Sequence, residues 1–93
     1  MPAFFLFGKY SPNSLKDVSS RRTRKAAEII ETFGGKVNSM HVMLGEYDII
    51  INADLPGTEE AMLTSVALSR ATEIGFTTYP AIPVEWFDKK VGK

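Results

Sequence analysis

Three side chains have the chemistry to move protons: His41, Asp48 and Tyr10. His41 is the only histidine in the 93 residues. An imidazole titrates near 6.5, approximately where acid–base catalysis is easiest. Asp48 stands beside Ile49-Ile50-Ile51, where a carboxylate must find a partner, water or a purpose. With one histidine and no cysteine, a single chain is expected to hold no metal and no cofactor, since zinc or iron wants three or more protein ligands. Plainer roles carry more weight. A histidine also serves ordinary packing, an aspartate after a tight turn accepts local hydrogen bonds, and Tyr47 is expected to fill the core with its hydroxyl at the edge.

Arg21, Arg22, Arg24 and Lys25 form a dense basic run. On a helix residues 21, 24 and 25 lie together, while Arg22 turns towards 18, 26 and 29. Glu28 and Glu31 balance the run, and the chain carries eleven basic and eleven acidic residues. No global field and no aromatic platform argue for nucleic acid, which is set aside as a partner. The chain has no Gly-rich phosphate loop, no His-Glu-x-x-His and no convincing Ser-His-Asp assembly. None of these features requires an enzyme.

The elements that must position these residues follow from pattern. At 44% hydrophobic and 24% charged, residues 1–93 read as one globular domain able to bury roughly 60–65% of its unfolded surface. The absence of cysteine fits a reducing cytoplasm. The apolar start MPAFFLFGKY is too short for a membrane span and lacks signal-peptide flanks, so no membrane partner is expected. From Ala3 to Tyr10 both alternating faces are apolar, as in a central strand. Pro12-Asn13-Ser14 breaks that pattern. A helix lies within Ser14–Phe33, with Ala26, Ile29, Ile30 and Phe33 as its buried stripe and Gly34-Gly35 as its stop. Lys36–Leu44 and Tyr47–Asp54 read as strands joined by a two-residue Gly45-Glu46 turn.

Thr58 is the expected N-cap of a second helix, with Glu59 and Glu60 in its first turn. Leu63, Val66, Ala67, Ala71 and Ile74 are its expected stripe, and Gly75 its close. Phe76–Ile82 is a fourth strand, with Pro80 pointing to an edge or a bulge. Pro83 opens a short terminal helix or tail over 83–93, including Glu85, Trp86 and Phe87. The order βαββαβ implies an α+β, ferredoxin-like antiparallel sheet with both helices on one face.

With that turn, period-two alternation sorts the hairpin. Met40, Val42, Leu44, Tyr47, Ile49, Ile51 and Ala53 form an apolar face for the helices. Val37, Ser39, His41, Met43, Asp48, Ile50 and Asn52 form a mixed face left uncovered. That face is too polar for a sealed core and too apolar for bulk water. A second copy covering it, with a partly polar pocket between the sheets, satisfies both demands. Thr77, Thr78, Tyr79 and Tyr10 are further candidates to line the pocket. Trp86 and Phe87 are candidates for a second oligomer contact or for folding back on their own subunit.

GGKV at Gly34–Val37, LGEYDIII at Leu44–Ile51, and a second helix closing before a threonine-rich strand together resemble the GYD domain family. The resemblance runs from about Ser19 to Phe87 and turns on Gly45, Tyr47 and Asp48 in the hairpin. It implies a dimeric α/β barrel, two ferredoxin-like sheets packed face to face, and no particular activity. The family usually carries an aromatic and a threonine late in the second strand. His41, Val42 and Met43 stand there instead, so a site built on those positions is altered. Arg22 lies near a family arginine of the first helix.

The leading expectation is a cytoplasmic homodimer or higher homo-oligomer binding a small, partly apolar ligand between sheets, as a sensor or carrier. Its ligand-binding candidates are His41, Asp48, Asn52, Ser39, Arg22, Thr78 and Tyr79. A cofactor-independent oxygenase, isomerase or cyclase using His41, Asp48 or Tyr10 is the enzyme alternative, by fold analogy alone. An assembly unit without ligand is the third.

Overall fold

The computed structural model describes residues 1–92. Its elements are β1 (Ala3–Lys9), α1 (Pro12–Lys16), α2 (Ser20–Thr32), β2 (Lys36–Val42), β3 (Ile49–Asp54), α3 (Thr58–Thr72), β4 (Gly75–Ala81) and α4 (Val84–Val91). The four strands form one antiparallel sheet in the order β2-β3-β1-β4. With α2 and α3 as the crossovers this is the ferredoxin-like α+β arrangement. β1 is central, as the sequence predicts, and β4 lies at an edge, the first of the two alternatives that Pro80 offers. No helix among the described residues is long and apolar enough to cross a membrane.

Pleat parity divides the sheet. Phe4 and Leu6 of β1 and Ile51 and Ala53 of β3 meet Ala26 and Ile30 of α2 and Ala61 and Leu68 of α3. Leu6, Ile30, Ile51 and Leu68 are shielded completely, a contribution of roughly 1.5–3 kcal/mol each. Gly8 lets the end of β1 lie close against Ile49 and Ile74. A Cβ there would meet Ile49 Cγ2 at 2.6 Å and Ile74 Cγ2 at 2.8 Å. Gly34, at φ 84°, takes the left-handed conformation that stops α2.

Local chemistry departs from expectation at five places. Pro12 does not merely break β1. It opens α1, capped by Ser11, whose hydroxyl accepts the Ser14 N–H while Ser14 Oγ accepts the Ser11 N–H. Thr58 is the first residue of α3, with extended Gly57 as its cap. Gly75 belongs to β4. Glu73 closes α3 instead, at φ 59°, its N–H donating to the Ser69 carbonyl at 2.8 Å.

The stripe of α3 is also different. Ala61, Thr64, Leu68 and Thr72 face the core, while Leu63 is 50% and Val66 51% exposed and Ala71 is exposed. Ile74, beyond the helix, is buried as predicted. Small residues let the helix approach the sheet closely. The Thr72 hydroxyl is accommodated because it donates to the Leu68 carbonyl at 2.7 Å and accepts the Ile74 N–H at 3.2 Å.

The fifth departure is the hairpin. The pairs Ser39–Asn52, Met40–Ile51, His41–Ile50 and Val42–Ile49 form in the predicted register. Met43 also meets Asp48 as predicted, through one bond, and the ladder opens beyond them. Met43 N–H donates to the Asp48 carbonyl at 2.8 Å, which leaves Leu44–Tyr47 as the loop rather than Gly45-Glu46. Gly45 lacks the positive φ that a two-residue turn with glycine first requires. Asp48 is drawn towards β1, its N–H donating to the Gly8 carbonyl at 2.8 Å. Val42 and Leu44 consequently stand in solvent. A bulge between Val37 and Ser39 also moves Val37 from the mixed face to the core.

Candidate functional site

The uncovered face of the sheet carries Phe5 and Phe7 from β1, Ile50 and Asn52 from β3, Ser39 and His41 from β2, and Thr77 and Tyr79 from β4, as the strand pairings require. Phe5, Phe7, Ile50, Ser39 and Asn52 are half-buried with nothing packed over them, while His41 and Tyr79 are exposed. Tyr47 joins this face. Its ring lies 5.2 Å from Phe7, and Tyr79 lies 5.7 Å from Phe7 edge-on, within the range of favourable aromatic pairing. The Tyr79 phenol is held above its ordinary 10.0 first by neighbouring Tyr47 and then by desolvation, with Glu46 adding to the effect.

Near the middle sits an unsatisfied polar group. Asn52 Oδ1 is shielded from solvent and, among the described residues, accepts no hydrogen bond. Buried polar groups normally have partners. Nearby, the bulged Asn38 donates through Nδ2 to Asp54 Oδ1 at 3.0 Å, so the next polar pair along β3 is satisfied. Ser39, opposite Asn52, has the chemistry to share a ligand with it.

The predicted site residues do not all converge. Ser39, His41, Asn52 and Tyr79 share the open face. Thr78 is on the other, where its hydroxyl donates to Ser65 Oγ at 3.0 Å. Arg22 also lies on the helix side. It donates to the Ser14 carbonyl and stacks 5.4 Å from the Tyr10 ring centre, so it links α2 to α1 and the end of β1. Tyr10 and Arg22 border a cavity of about 90 Å³ beneath α2, together with Ala26, Met40 and Ile74. Arg21, Arg22, Lys25 and Lys16 line an open cleft of about 680 Å³ beside the start of α2.

Asp48 stands at the rim with a definite employment. Its Oδ2 accepts the Tyr10 N–H at 2.8 Å, tying the end of β1 to the hairpin, while Lys9 Nζ donates to the Glu46 carbonyl at 2.8 Å. The carboxylate after the turn is therefore a backbone acceptor, the plainer of its two expected roles. His41, Asp48 and Tyr10 occupy the open face, the rim and the helix side, so they do not assemble as one acid–base group. Sequence reasoning missed Phe5, Phe7 and Tyr47 as members of this face. Phe5 and Phe7 were legible from period-two alternation in β1, whereas Tyr47 crosses over only because the loop is wider than two residues.

The molecule is thus a ferredoxin-like α+β protein whose distinctive side chains lie on the sheet face opposite its helices. Residues 4–91 match the GYD domain model, and the chain belongs to the GYD domain family. Gly45, Tyr47 and Asp48, the residues of its signature, form the turn that closes this face. No curated protein matches the chain.

Proposed function

We propose that the chain is a homo-oligomeric binding protein in which two copies face their sheets together around a small, partly apolar ligand. The observation that carries this reading is the shielded, unpartnered Asn52 Oδ1 in the middle of an uncovered apolar face. Aromatic side chains left half-buried on a sheet favour a cover. Facing copies would meet first at the long residues Phe5, Phe7 and Tyr79. The short Ser39 and Asn52 between them would leave room for a ligand with one donor for Asn52 and an otherwise apolar body. His41 would stand at the margin of that space. The pairing matches the dimeric α/β barrel that the family resemblance implies.

Native mass spectrometry of freshly purified protein tests both parts. The expected result is a dimer, or a multiple of dimers, carrying a reproducible extra mass that Asn52→Leu removes without separating the subunits. A strict monomer overturns the reading, and an empty dimer that Asn52→Leu does not alter overturns its ligand.

A further inference from the structure

A second uncovered surface lies on the opposite side of the molecule. Between α3 and the edge strand β4 runs an apolar groove of about 310 Å³, bordered by Phe4, Ala61, Met62, Val66, Thr78 and Pro80. Met62 is 66% exposed. The same chain has an amphipathic helix without a seat. α4 buries none of its residues, yet Val84, Phe87 and Val91 recur at the i, i+3, i+7 spacing of a docking stripe. Lys90 covers Trp86 at the stripe's edge, 5.3 Å from its ring centre. The radius of gyration is 13.9 Å, above the ~12 Å of a compact chain of this length, as an arm held off the body requires.

We propose that α4 docks in the α3–β4 groove of a second copy. Length agrees: the eight residues of α4 span about 12 Å, the same rise that separates Thr58 from Val66 along α3. Topology and charge decide whose arm enters. Ala81, Ala3 and Asp54 are paired at one end of the sheet, and α3 starts from that end. α4 also starts there, two residues beyond β4. Folding into its own groove, α4 would run parallel to α3. Glu85 would then lie at the same end as Glu59, like charges together, with the two helix dipoles aligned.

An arm from a second copy is free to enter antiparallel. Lys90, beside the stripe in its last turn, then approaches Glu59 beside the groove in the first turn of α3, and the dipoles oppose. Phe87 is half exposed, and so is Val66 of the groove wall, with Met62 more exposed still. With aromatic side chains of ~150–250 Å² and two reciprocal arms, the contact buries on the order of 1,000 Å², the lower bound for a specific interface. It lies away from Phe7, Ile50 and Asn52, so it does not rest on the facing-sheet reading.

The chain has no cysteine, which makes disulfide trapping direct. Glu59→Cys and Lys90→Cys are prepared separately, mixed and oxidised. The expected product is the mixed covalent dimer, several-fold above either variant's dimer with itself. Adding Val66→Asp to the Glu59→Cys chain should abolish it, while the same change in the Lys90→Cys chain should leave it. Phe87→Asp should show the reverse asymmetry. Ile50→Glu, which would disrupt facing sheets, should leave the trap intact. No enrichment of the mixed dimer overturns the proposal. So does an intramolecular bond in the Glu59→Cys/Lys90→Cys double variant, because the arm would then occupy its own groove.

Discussion

Replacing Asp48 separates a structural carboxylate from one reserved for a ligand. Its Oδ2 accepts the Tyr10 N–H at 2.8 Å in a partly buried setting. A hydrogen bond to a charged acceptor contributes about 1.5–3 kcal/mol net. Asp48→Ala removes it and leaves the Tyr10 N–H without an acceptor, so ~2 kcal/mol of stability is expected to go. At roughly 2.1 cal/mol/K per residue the unfolding entropy of a chain this size is about 0.2 kcal/mol/K, which converts that loss to a Tm fall of about 10 °C. Asp48→Asn keeps a neutral acceptor of the same shape and should cost about half as much. Thermal unfolding followed by circular dichroism gives both numbers, and amide exchange gives the site, because Tyr10 should lose protection in the alanine variant first. An alanine variant within about 0.2 kcal/mol of the wild type, near 1 °C on the same scale, refutes the reasoning. Equal losses for alanine and asparagine would show that charge, not acceptance, is what the position supplies.

Two other replacements test polar groups at opposite extremes of burial. Thr64 is shielded completely and its hydroxyl has no partner among the described residues, so the near-isosteric Thr64→Val should raise stability by about 0.5–1.5 kcal/mol in urea unfolding. A loss there would mean that the hydroxyl is paired. Tyr79 holds its proton above the ordinary 10.0 in the fold, so the folded state binds more protons than the unfolded one as pH rises past that value. Its contribution is present in full below pH ~10 and is lost as pH climbs through the folded value. Tyr79→Phe should flatten that alkaline decline, and a phenolate absorbance titration of the wild type should show one tyrosine later than free tyrosine. A wild-type titration at the free-tyrosine value would refute it.

The strands and the main helices were legible because their signals are local and redundant. FFLF in β1, the Ala26–Ile30 spacing of α2 and the three isoleucines of β3 each specify an element whatever surrounds them. Even the hairpin register from Ser39 to Val42 follows from sequence, since a slip would turn the whole apolar face to water. What failed depends on packing partners that pattern does not name. Pro12 can end a strand or open a helix, and the reciprocal Ser11–Ser14 bonds decide for the helix. Thr64 and Thr72 outrank Val66 for the core side of α3 because closeness to the sheet matters more there than side-chain hydrophobicity.

The candidate site was half legible for a reason of parity. Along a regular strand, side chains alternate, so Ser39, His41 and Asn52 could be assigned together. One irregularity reverses the count beyond it. The bulge before Ser39 turns Val37 inward, and the Leu44–Tyr47 loop turns Tyr47 outward onto Phe7. Asp48 lies where the hairpin enters the sheet: its carbonyl accepts from Met43 beyond β2, and its N–H donates to Gly8 of β1. A carboxylate there secures the Tyr10 amide that the departing chain would leave open. That bond holds the loop against β1, and with it Tyr47 on the open face. The Gly-x-Tyr-Asp signature is therefore one device: its aspartate fixes the turn geometry, and that geometry gives the tyrosine its place among Phe7 and Tyr79. A family defined by this turn need share no reaction. It need only share a sheet whose uncovered face is bounded at one end by that ring.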